Sequence, residues 1–464
     1  MRRNRYERKK KKMCKVSVVV PSKNVAGFMK KCLESVRNQT LSDLEIICVD
    51  ACSTDGTREI IKEFQQQDCR IVLLDDTMGS SGYADNLGFS QAKGEYLAIV
   101  ESDDYITPDM METLYEMAKA NDLDYIKANY AMFIEDGEEE IAIENIHSLS
   151  TLDIYGKVIH PAEYPELLEL DGYMWKGLYR KGYIVEHNIR LNETKGAAYQ
   201  DNGFLHQTLA LAKRAMYVNQ SFYHYRRDNE NSSDYNPKGF KMMLEEYRFI
   251  EQFIASHQSV MEPFMQWYYL KLYHQFRGQL AKIVRHKTYS EETGKEMEGY
   301  VELLRGGIRN GKISQEIFGE EIEDIALLLN SPRTFYDWLR NKVLTGDKMY
   351  HDFIREIRAQ KELVLVCCGD KGTNLHMLLR RNGVATISAV CDNQKDKQGT
   401  AFYGIPIVSV EDAAKGYPDA CFVIANDKYH NDLKRQLLAL QVPADRIRIF
   451  NAEINPHFAT NRLM

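Results

Sequence analysis

At 464 residues the chain is long enough for about three domains of roughly 150 residues each, and 44% hydrophobic content with only 28 Gly and 11 Pro excludes disordered and fibrous architectures. The net charge of −7 combines unlike parts: the first twelve residues carry eight basic side chains against one acid, +7, and the rest carries −14. An acidic body excludes a protein that coats nucleic acid, because that affinity comes from many Lys and Arg contacts to phosphate.

In chain order, Lys15 to about Tyr130 alternates short β-branched runs with amphipathic helical stretches. VSVVV leads to a helix over Phe28 to Asn38, LEIICVD to one after Gly56, RIVLL to one through Asn86 to Ala92, and YLAIVE to one after Pro108. This alternation predicts an α/β fold with a mostly parallel sheet covered on both faces. The runs end in three polar clusters: Pro21-Ser22-Lys23-Asn24, Asp50 to Gly56, and Glu101-Ser102-Asp103-Asp104. Ligands of open α/β sheets sit at the carboxyl ends of strands, so the three clusters are expected to line one cleft.

Residues 131–236 are less regular and rich in Tyr, Gly and Asn, as expected of loops that carry substrate contacts. From Phe240 the pattern turns helical, with Met243, Leu244, Tyr247, Ile250 and Ile254 at three- and four-residue steps. No catalytic cluster stands out up to about Gln360. The aromatics there read as bundle core, with an acceptor platform as the alternative. At Leu363 a second small α/β unit begins with LVLVCCGDKG. Its Gly369-Asp370-Lys371-Gly372 turn falls short of the full dinucleotide fingerprint, with Cys367 in place of the first glycine, although Asp392 follows about twenty residues on, where a ribose-binding acid would sit. Tight-turn packing accounts for the glycines without a ligand.

No apolar run reaches the roughly 18 residues that span a bilayer, and no apolar signal core follows the basic N-terminus. A soluble, cytoplasmic chain is expected, in which residues 2–12 either touch an anionic membrane surface or are simply solvated. The nine cysteines are odd in number and lack a CxxC pair, which predicts reduced thiols. Asp103 and Asp104 stand at the end of a strand, where carboxylates suit Mg²⁺ or Mn²⁺ completed by substrate phosphates. A turn or helix cap uses the same residues.

KVSVVVPSKN, KCLESVRNQT, LEIICVDACSTDGT and AKGEYLAIVESDDYITPDMMETLY, in this order over nearly all of residues 15–130, resemble the nucleotide-sugar domain of family 2 glycosyltransferases, the inverting GT-A fold. The resemblance implies that Pro21, Ser22, Asn24, Asp50 and Asp55 hold the base and ribose of a nucleotide-sugar donor. Glu101-Ser102-Asp103 then occupies the family's D-x-D, with Glu101 and Ser102 toward the nucleotide, Asp103 as ligand of Mn²⁺ or Mg²⁺, and Asp104 as a weaker one. A second block, Trp175 to Arg180, NIRLNETKGAAYQDNGF and YHYRRDNENSS, looks like the acceptor half of bacterial members that build capsule, lipopolysaccharide or wall polysaccharide. There the acid of an ED-type motif is the catalytic base, here Asp201; a helix-capping Asp is the competing reading.

Other residues keep two readings. Arg226 and Arg227 either hold the diphosphate or form surface ion pairs. His224 is either a further metal ligand or a packed ring, and Trp175 either a platform for the acceptor sugar or a core anchor. Four positions depart from the family pattern. Lys23 stands where many relatives have Tyr, Ala51 replaces a second Asp, Glu101 replaces the first Asp of D-x-D, and Asp85 takes the usual Arg of an ARN triplet.

The domains expected are a basic tail over 1–14, a GT-A domain over 15–236 (nucleotide half 15–130, acceptor half 131–236), a helical region over 237–357 and a small Rossmann-like domain over 358–455. The function that the resemblance implies is metal-dependent inverting transfer of a sugar from a nucleoside-diphosphate sugar, a UDP-sugar in the family's manner, to a hydroxyl of a cell-surface glycan precursor, a glycan or lipid-linked glycan. The alternative is a non-catalytic nucleotide-sugar or glycan binder whose C-terminal domain recruits partners.

Overall fold

The computed structural model describes residues 14–136, 139–146, 149–229, 238–381, 384 and 387–450. The basic tail at residues 2–12 and the end of the YHYRRDNENSS block lie outside the described residues. The chain forms two compact units, one running to Leu272 and including Glu302–Ile322, the other made of Tyr273–Val301 and the chain from Glu323 onward. The helical stretch expected over 237–357 is therefore divided between them.

The first unit is built on a nine-stranded sheet: β1 (Val16–Ser22), β2 (Leu44–Asp50), β3 (Ile71–Asp75), β4 (Tyr96–Ile99), β5 (Tyr105–Ile106), β6 (Tyr125–Asp136), β7 (Glu139–Ile146), β8 (Gly177–Arg180) and β9 (Ala215–Arg226). Their order is β3-β2-β1-β4-β8-β6-β9-β5, with β7 paired to β6. The first four are parallel, and Ser22 of β1 lies level with Asp50 of β2, so the carboxyl ends of these strands finish together. Every residue of β1 is buried, as a strand covered on both faces requires.

Four helices cover these strands: α1 (Ala26–Arg37), α2 (Thr57–Gln67), α3 (Ser81–Gln91) and α4 (Met110–Ala120). α1 buries Met29, Cys32, Leu33 and Val36, an i, i+3, i+4, i+7 stripe. α3 starts at Ser80, whose side chain accepts from the Tyr83 amide. It lies so close to the sheet that a Cβ on Gly88 would come within 2.5 Å of the Val19 side chain. One turn earlier, on the same face, is Asp85.

The region expected to be loops contains two of the longest strands. β6 and β9 pair in parallel at the centre of the acceptor half, with register shifts at Asn129. Their Tyr-rich sequences lack the apolar run or clean alternation that marks a strand. Short helices α5 (Leu167–Leu170) and α6 (Lys181–Glu186) precede α7 (Gln200–Leu211), which packs against α8 (Gly239–Ser256). At that contact a Cβ on Gly203 would meet Glu246 Oε1 at 2.4 Å. The helices continue as α9 (Gln258–Met261), α10 (Met265–His286), α11 (Glu291–Arg309), α12 (Gln315–Phe318), α13 (Glu321–Asn330) and α14 (Pro332–Arg358).

The second unit contains a six-stranded sheet: β10 (Leu363–Val366), β11 (Ile387–Cys391), β12 (Ala401–Phe402), β13 (Ile405–Val408), β14 (Cys421–Ala425) and β15 (Ile447–Phe450). The order is β12-β13-β11-β10-β14-β15, parallel except for the β12–β13 hairpin. Helices α15 (Asp370–Arg381), α16 (Val410–Gly416) and α17 (His430–Ala439) accompany it. Alternate residues of β10 enter two separate cores, Leu363 and Leu365 in one and Val364 and Val366 in the other. At the glycine turn a Cβ on Gly372 would meet the Cys367 carbonyl at 2.2 Å, so close packing alone demands that glycine. The Asp392 carboxylate accepts from the amides of Cys368 (3.1 Å) and Gln394 (2.9 Å) and so braces the turn. All nine cysteines are free thiols.

Candidate active site

The loops that end β1 and β2 are held by their own side chains. Asn24, at φ +52°, accepts the Thr54 amide on Oδ1 (2.9 Å), and its own amide donates to Ser53 Oγ (2.9 Å). Ser22 Oγ donates to the Val49 carbonyl, and Pro21 is buried in β1. The Asp50 carboxylate is wholly buried. Its Oδ2 accepts from Arg58 Nη1 (3.1 Å) and the Ser53 amide (3.2 Å), while Oδ1 has no partner among the described residues. That open, buried oxygen suits a donor group on a ligand.

Asp55 has a different task from the one expected. Its Oδ1 accepts from the amide and hydroxyl of Thr57, and Oδ2 from the Ala26 amide (2.9 Å), so both oxygens tie α2 to α1 instead of reaching for a nucleotide.

After β4 the chain places Glu101, Ser102, Asp103 and Asp104 in a turn. Asp104 is corrected from weak metal ligand to structural tie. It is buried, its Oδ2 accepts from the Tyr223 hydroxyl (2.7 Å) and its Oδ1 from the Arg226 amide (2.7 Å), fastening the turn to β9. Asp103 is partly open, with Oδ2 accepting from Asn229 Nδ2 (2.8 Å). Ser102 is buried. Glu101 lies within electrostatic reach of both Asp103 and Asp201; burial, and then those two charges, push its carboxyl up to about 8.

Asp85 lies alongside Glu101. It is 0% exposed and neither of its oxygens has a hydrogen-bond partner among the described residues. Burial, with the Glu101 charge added, pushes it well above the usual carboxylate range. The sequence marked Asp85 only as a departure from the family's Arg. Its apolar-face position on α3 was the available signal.

Asp201 occupies the first turn of α7, directly after Tyr199, which sits at φ +69°. The Gln200 side chain braces this entry, accepting from the Ala198 amide and donating to Thr194 Oγ1. Burial pushes the Asp201 carboxyl up to about 6 against the pull of Lys271 and, more weakly, Lys127. An acid near neutrality is suited to taking a proton and giving it up.

Three residues that kept two readings take the one that ties them into the fold, which for Arg226 and Trp175 sets aside the ligand-contact reading and for His224 the metal-ligand reading. Arg226 is buried, ion-paired to Glu135 (2.8 Å) and Asp228 (3.2 Å), and packed over Phe28 and Phe133, so its guanidinium is committed within the fold. Trp175 is buried and stacked against Tyr223 (4.1 Å) and Tyr173 (4.7 Å), a core anchor with no open face for a sugar. His224 stacks on Tyr105 at 4.2 Å, a packed ring on β9. Arg227 is half-buried and donates to the Tyr225 hydroxyl (3.1 Å).

Among the described residues no three His, Cys, Asp or Glu side chains are grouped to hold a metal by themselves. The donor set, a partly exposed Asp103 with Glu101 within its electrostatic reach, fits the Mg²⁺ or Mn²⁺ mode in which one or two carboxylates bind and phosphates and water complete the shell.

Residues 17–175 match the family model described as glycosyl transferase family 2. The chain is 33% identical to the glycosyltransferase GlyG of Streptococcus pneumoniae serotype 4, across 46% of this chain and 70% of that protein. It is 31% identical to the glycosyltransferase YibD of Escherichia coli K12, across 51% of this chain and 68% of that one. Among solved structures, S. aureus TarS (residues 1–349) in complex with UDP-GlcNAc aligns with a TM-score of 0.50 at 17% identity, covering 73% of this chain and 92% of that one. The fold of the first unit is thus the GT-A fold, and the chain belongs to family 2 of the glycosyltransferases.

Proposed function

We propose that this glycosyltransferase moves a sugar from a nucleoside-diphosphate donor, a UDP-sugar by preference, to a hydroxyl of a cell-surface glycan precursor, with inversion at the anomeric carbon. The observation that carries the reading is the convergence of acids from distant segments: Glu101 feels both Asp103 and Asp201, a hundred residues further along the chain. Asp50, with its open buried oxygen, binds the base or ribose together with Pro21, Ser22 and Asn24, and Glu101 and Ser102 complete that side. Asp103 holds Mg²⁺ or Mn²⁺, which when bound supplies charge relief to the departing diphosphate. Arg227 is the remaining arginine candidate for the diphosphate. Asp201 takes the proton of the acceptor hydroxyl as it attacks from the face opposite the diphosphate, and a positioned base of this kind contributes about 10²- to 10⁴-fold.

The TarS structure holds UDP-GlcNAc, and a UDP-sugar is accordingly the first donor to test. No described helix is long and apolar enough to cross a membrane. The deciding experiment is metal-dependent release of nucleoside diphosphate from a panel of UDP-, GDP- and dTDP-sugars, with wild type and Asp201→Asn compared for donor binding and transfer. Retained binding with loss of transfer in the variant supports the reading. Near wild-type transfer would remove Asp201 as the base.

A further inference from the structure

The helix that carries Asp201, α7, does not cap itself. Tyr199, the residue before it, sits at φ +69°, a left-handed conformation that a Tyr rarely adopts and that the surrounding structure must hold, and it supplies no side-chain cap. Its carbonyl accepts from the backbone amide of Asn202 (3.0 Å) and from Asn202 Nδ2 (3.2 Å). Gly203 stands four residues after Tyr199, where its amide would ordinarily close the first α-helical hydrogen bond onto that carbonyl. It donates instead to Glu246 Oε1 on α8, at 2.8 Å.

Glu246 is 1% exposed, and its carboxyl grips two segments at once. Oε1 takes the Gly203 amide, and Oε2 accepts from Asn192 Nδ2 (3.0 Å). Only glycine permits this approach, since a Cβ at position 203 would come within 2.4 Å of Glu246 Oε1 and 2.8 Å of the Phe249 ring. Asn192 lies in the segment that leads into α7, and α3 holds the same segment. Asn86 donates to the Leu191 carbonyl (2.9 Å) and accepts the Leu191 amide (3.0 Å), and a Cβ on Gly82 would meet the Asn192 carbonyl at 2.0 Å. Further on, the Ser81 amide donates to the Gly196 carbonyl (2.9 Å) and the Gly196 amide to the Gly79 carbonyl (2.8 Å). The entry to α7 is thus fixed to α3 on one side, and the Glu246 carboxyl fixes it, with the first turn of the helix, to α8 on the other.

We propose that Glu246 is a positioning residue for Asp201: by holding the Gly203 amide and the Asn192 side chain, it sets the first turn of α7 and the place from which Asp201 meets the acceptor hydroxyl. This rests on the reading of Asp201 as the base. Asp201 precedes Gly203 by two residues, about 3 Å along the helix axis, so a turn that slackens at Gly203 carries the acid with it. Misplacing a reacting group by about 1 Å can lower a rate by about 10²-fold. The contact requires an acceptor oxygen and no charge. Burial pushes the Glu246 carboxyl up to about 8, and the neutral acid still presents a carbonyl oxygen to Gly203, as the Gln side chain does.

The test is release of nucleoside diphosphate by the full chain, with water as the acceptor, from whichever UDP-, GDP- or dTDP-sugar the wild type turns over fastest. In Glu246→Ala kcat is expected to fall by about 10- to 10²-fold, with the KM for the donor unchanged, and Glu246→Gln is expected to recover most of the loss. Gly203→Ala keeps Glu246 but drives its carboxyl off the amide, and it carries the test if Glu246→Ala does not fold. In an Asp201→Asn background Glu246→Ala should lower the rate no further, because it acts through Asp201. Wild-type kcat in the folded variant overturns the proposal, as does a loss confined to KM, a Gln variant that recovers nothing, or a further loss in the Asp201→Asn background. Failure of the underlying reading has a different signature: Asp201→Asn would release nucleoside diphosphate at near the wild-type rate, or the wild type would turn over no donor of the panel.

Discussion

Two acidic regions of the first unit treat their carboxylates in opposite ways. In the turn after β3, Asp76 is buried and takes the amides of Met78 (2.7 Å), Gly79 (2.9 Å) and Ser80 (3.2 Å). Nine residues on, in the floor between α3 and the end of β4, Asp85 is buried just as deeply and takes none. Asp55 and Asp104 belong with Asp76, since every oxygen they have is answered by an amide or hydroxyl. Burial pushes up the carboxyls of Asp85, Glu101 and Asp201, and that of Asp104 as well despite its two partners, but of these Asp85 is the one with both oxygens buried and unanswered among the described residues. Satisfied acids build the loops; unsatisfied ones cost stability and are retained where a ligand or a proton is to be handled.

The largest effect expected from breaking this contrast is at Asp201. Asp201→Asn should lower transfer by about 10²- to 10⁴-fold without loss of thermal stability, because a burial-raised acid does not favour the folded state at neutral pH. In the wild type, transfer at limiting substrate should rise with pH through about 6, as the base loses its proton. A flat rate between pH 5 and 8 would count against the assignment.

Asp171→Ala should act on stability instead. Burial raises the Asp171 carboxyl, but Lys127 and Lys176 override it and hold the group at about 2. Removing Asp171 strands two buried ammonium groups, a change that costs about 3–5 kcal/mol. It should be visible as a lower urea midpoint; a change below about 1 kcal/mol would mean that the lysines had found water.

The contrast also explains what the sequence could and could not reveal. Strands β1 to β4 were legible because parallel strands buried on both faces are continuous apolar runs, and the polar residues ending each run marked their carboxyl ends. Asp201 was singled out by its motif, and the structure adds its place in the first turn of α7. The centre of the acceptor half was not: β6 and β9 are Tyr-rich and irregular in register, and Arg226 and Trp175 look like ligand-binding side chains until their partners in the fold are known. Lys127, Asp171 and Lys271 were hidden for a different reason. Each is a lone charge in an otherwise apolar pattern, and only the three-dimensional charge balance gives it meaning.

Asp85 offers a smaller test with a definite sign. Because its folded-state carboxyl is raised, its contribution to stability is fully present below about pH 4, the unfolded value, and is lost as pH rises through the folded value. Wild-type melting temperature should therefore fall toward alkaline pH. Asp85→Asn, which cannot ionise, should remove on the order of 2 kcal/mol of that loss. An equally steep decline in the variant would show that Asp85 has a partner when charged.

The smallest effect is expected at Asp76, and it tests the satisfied class. Asp76→Ala leaves the amides of Met78, Gly79 and Ser80 without their acceptor. These amides lie in the turn that feeds the Ser80 cap of α3, and water can reach part of it, since Met78 is 53% exposed. The loss should be about 1–2 kcal/mol, less than at Asp171. Asp76→Asn keeps an acceptor oxygen for two of the amides and should recover roughly half of it. Hydrogen exchange at Gly79 and Ser80 would give the local reading, with faster exchange in Asp76→Ala than in Asp76→Asn. If both variants matched the wild type there, the hydrogen bonds to Asp76 would not be what fixes the start of α3, and the position of Asp85 on that helix would have to come from the Gly88 contact with β1 alone.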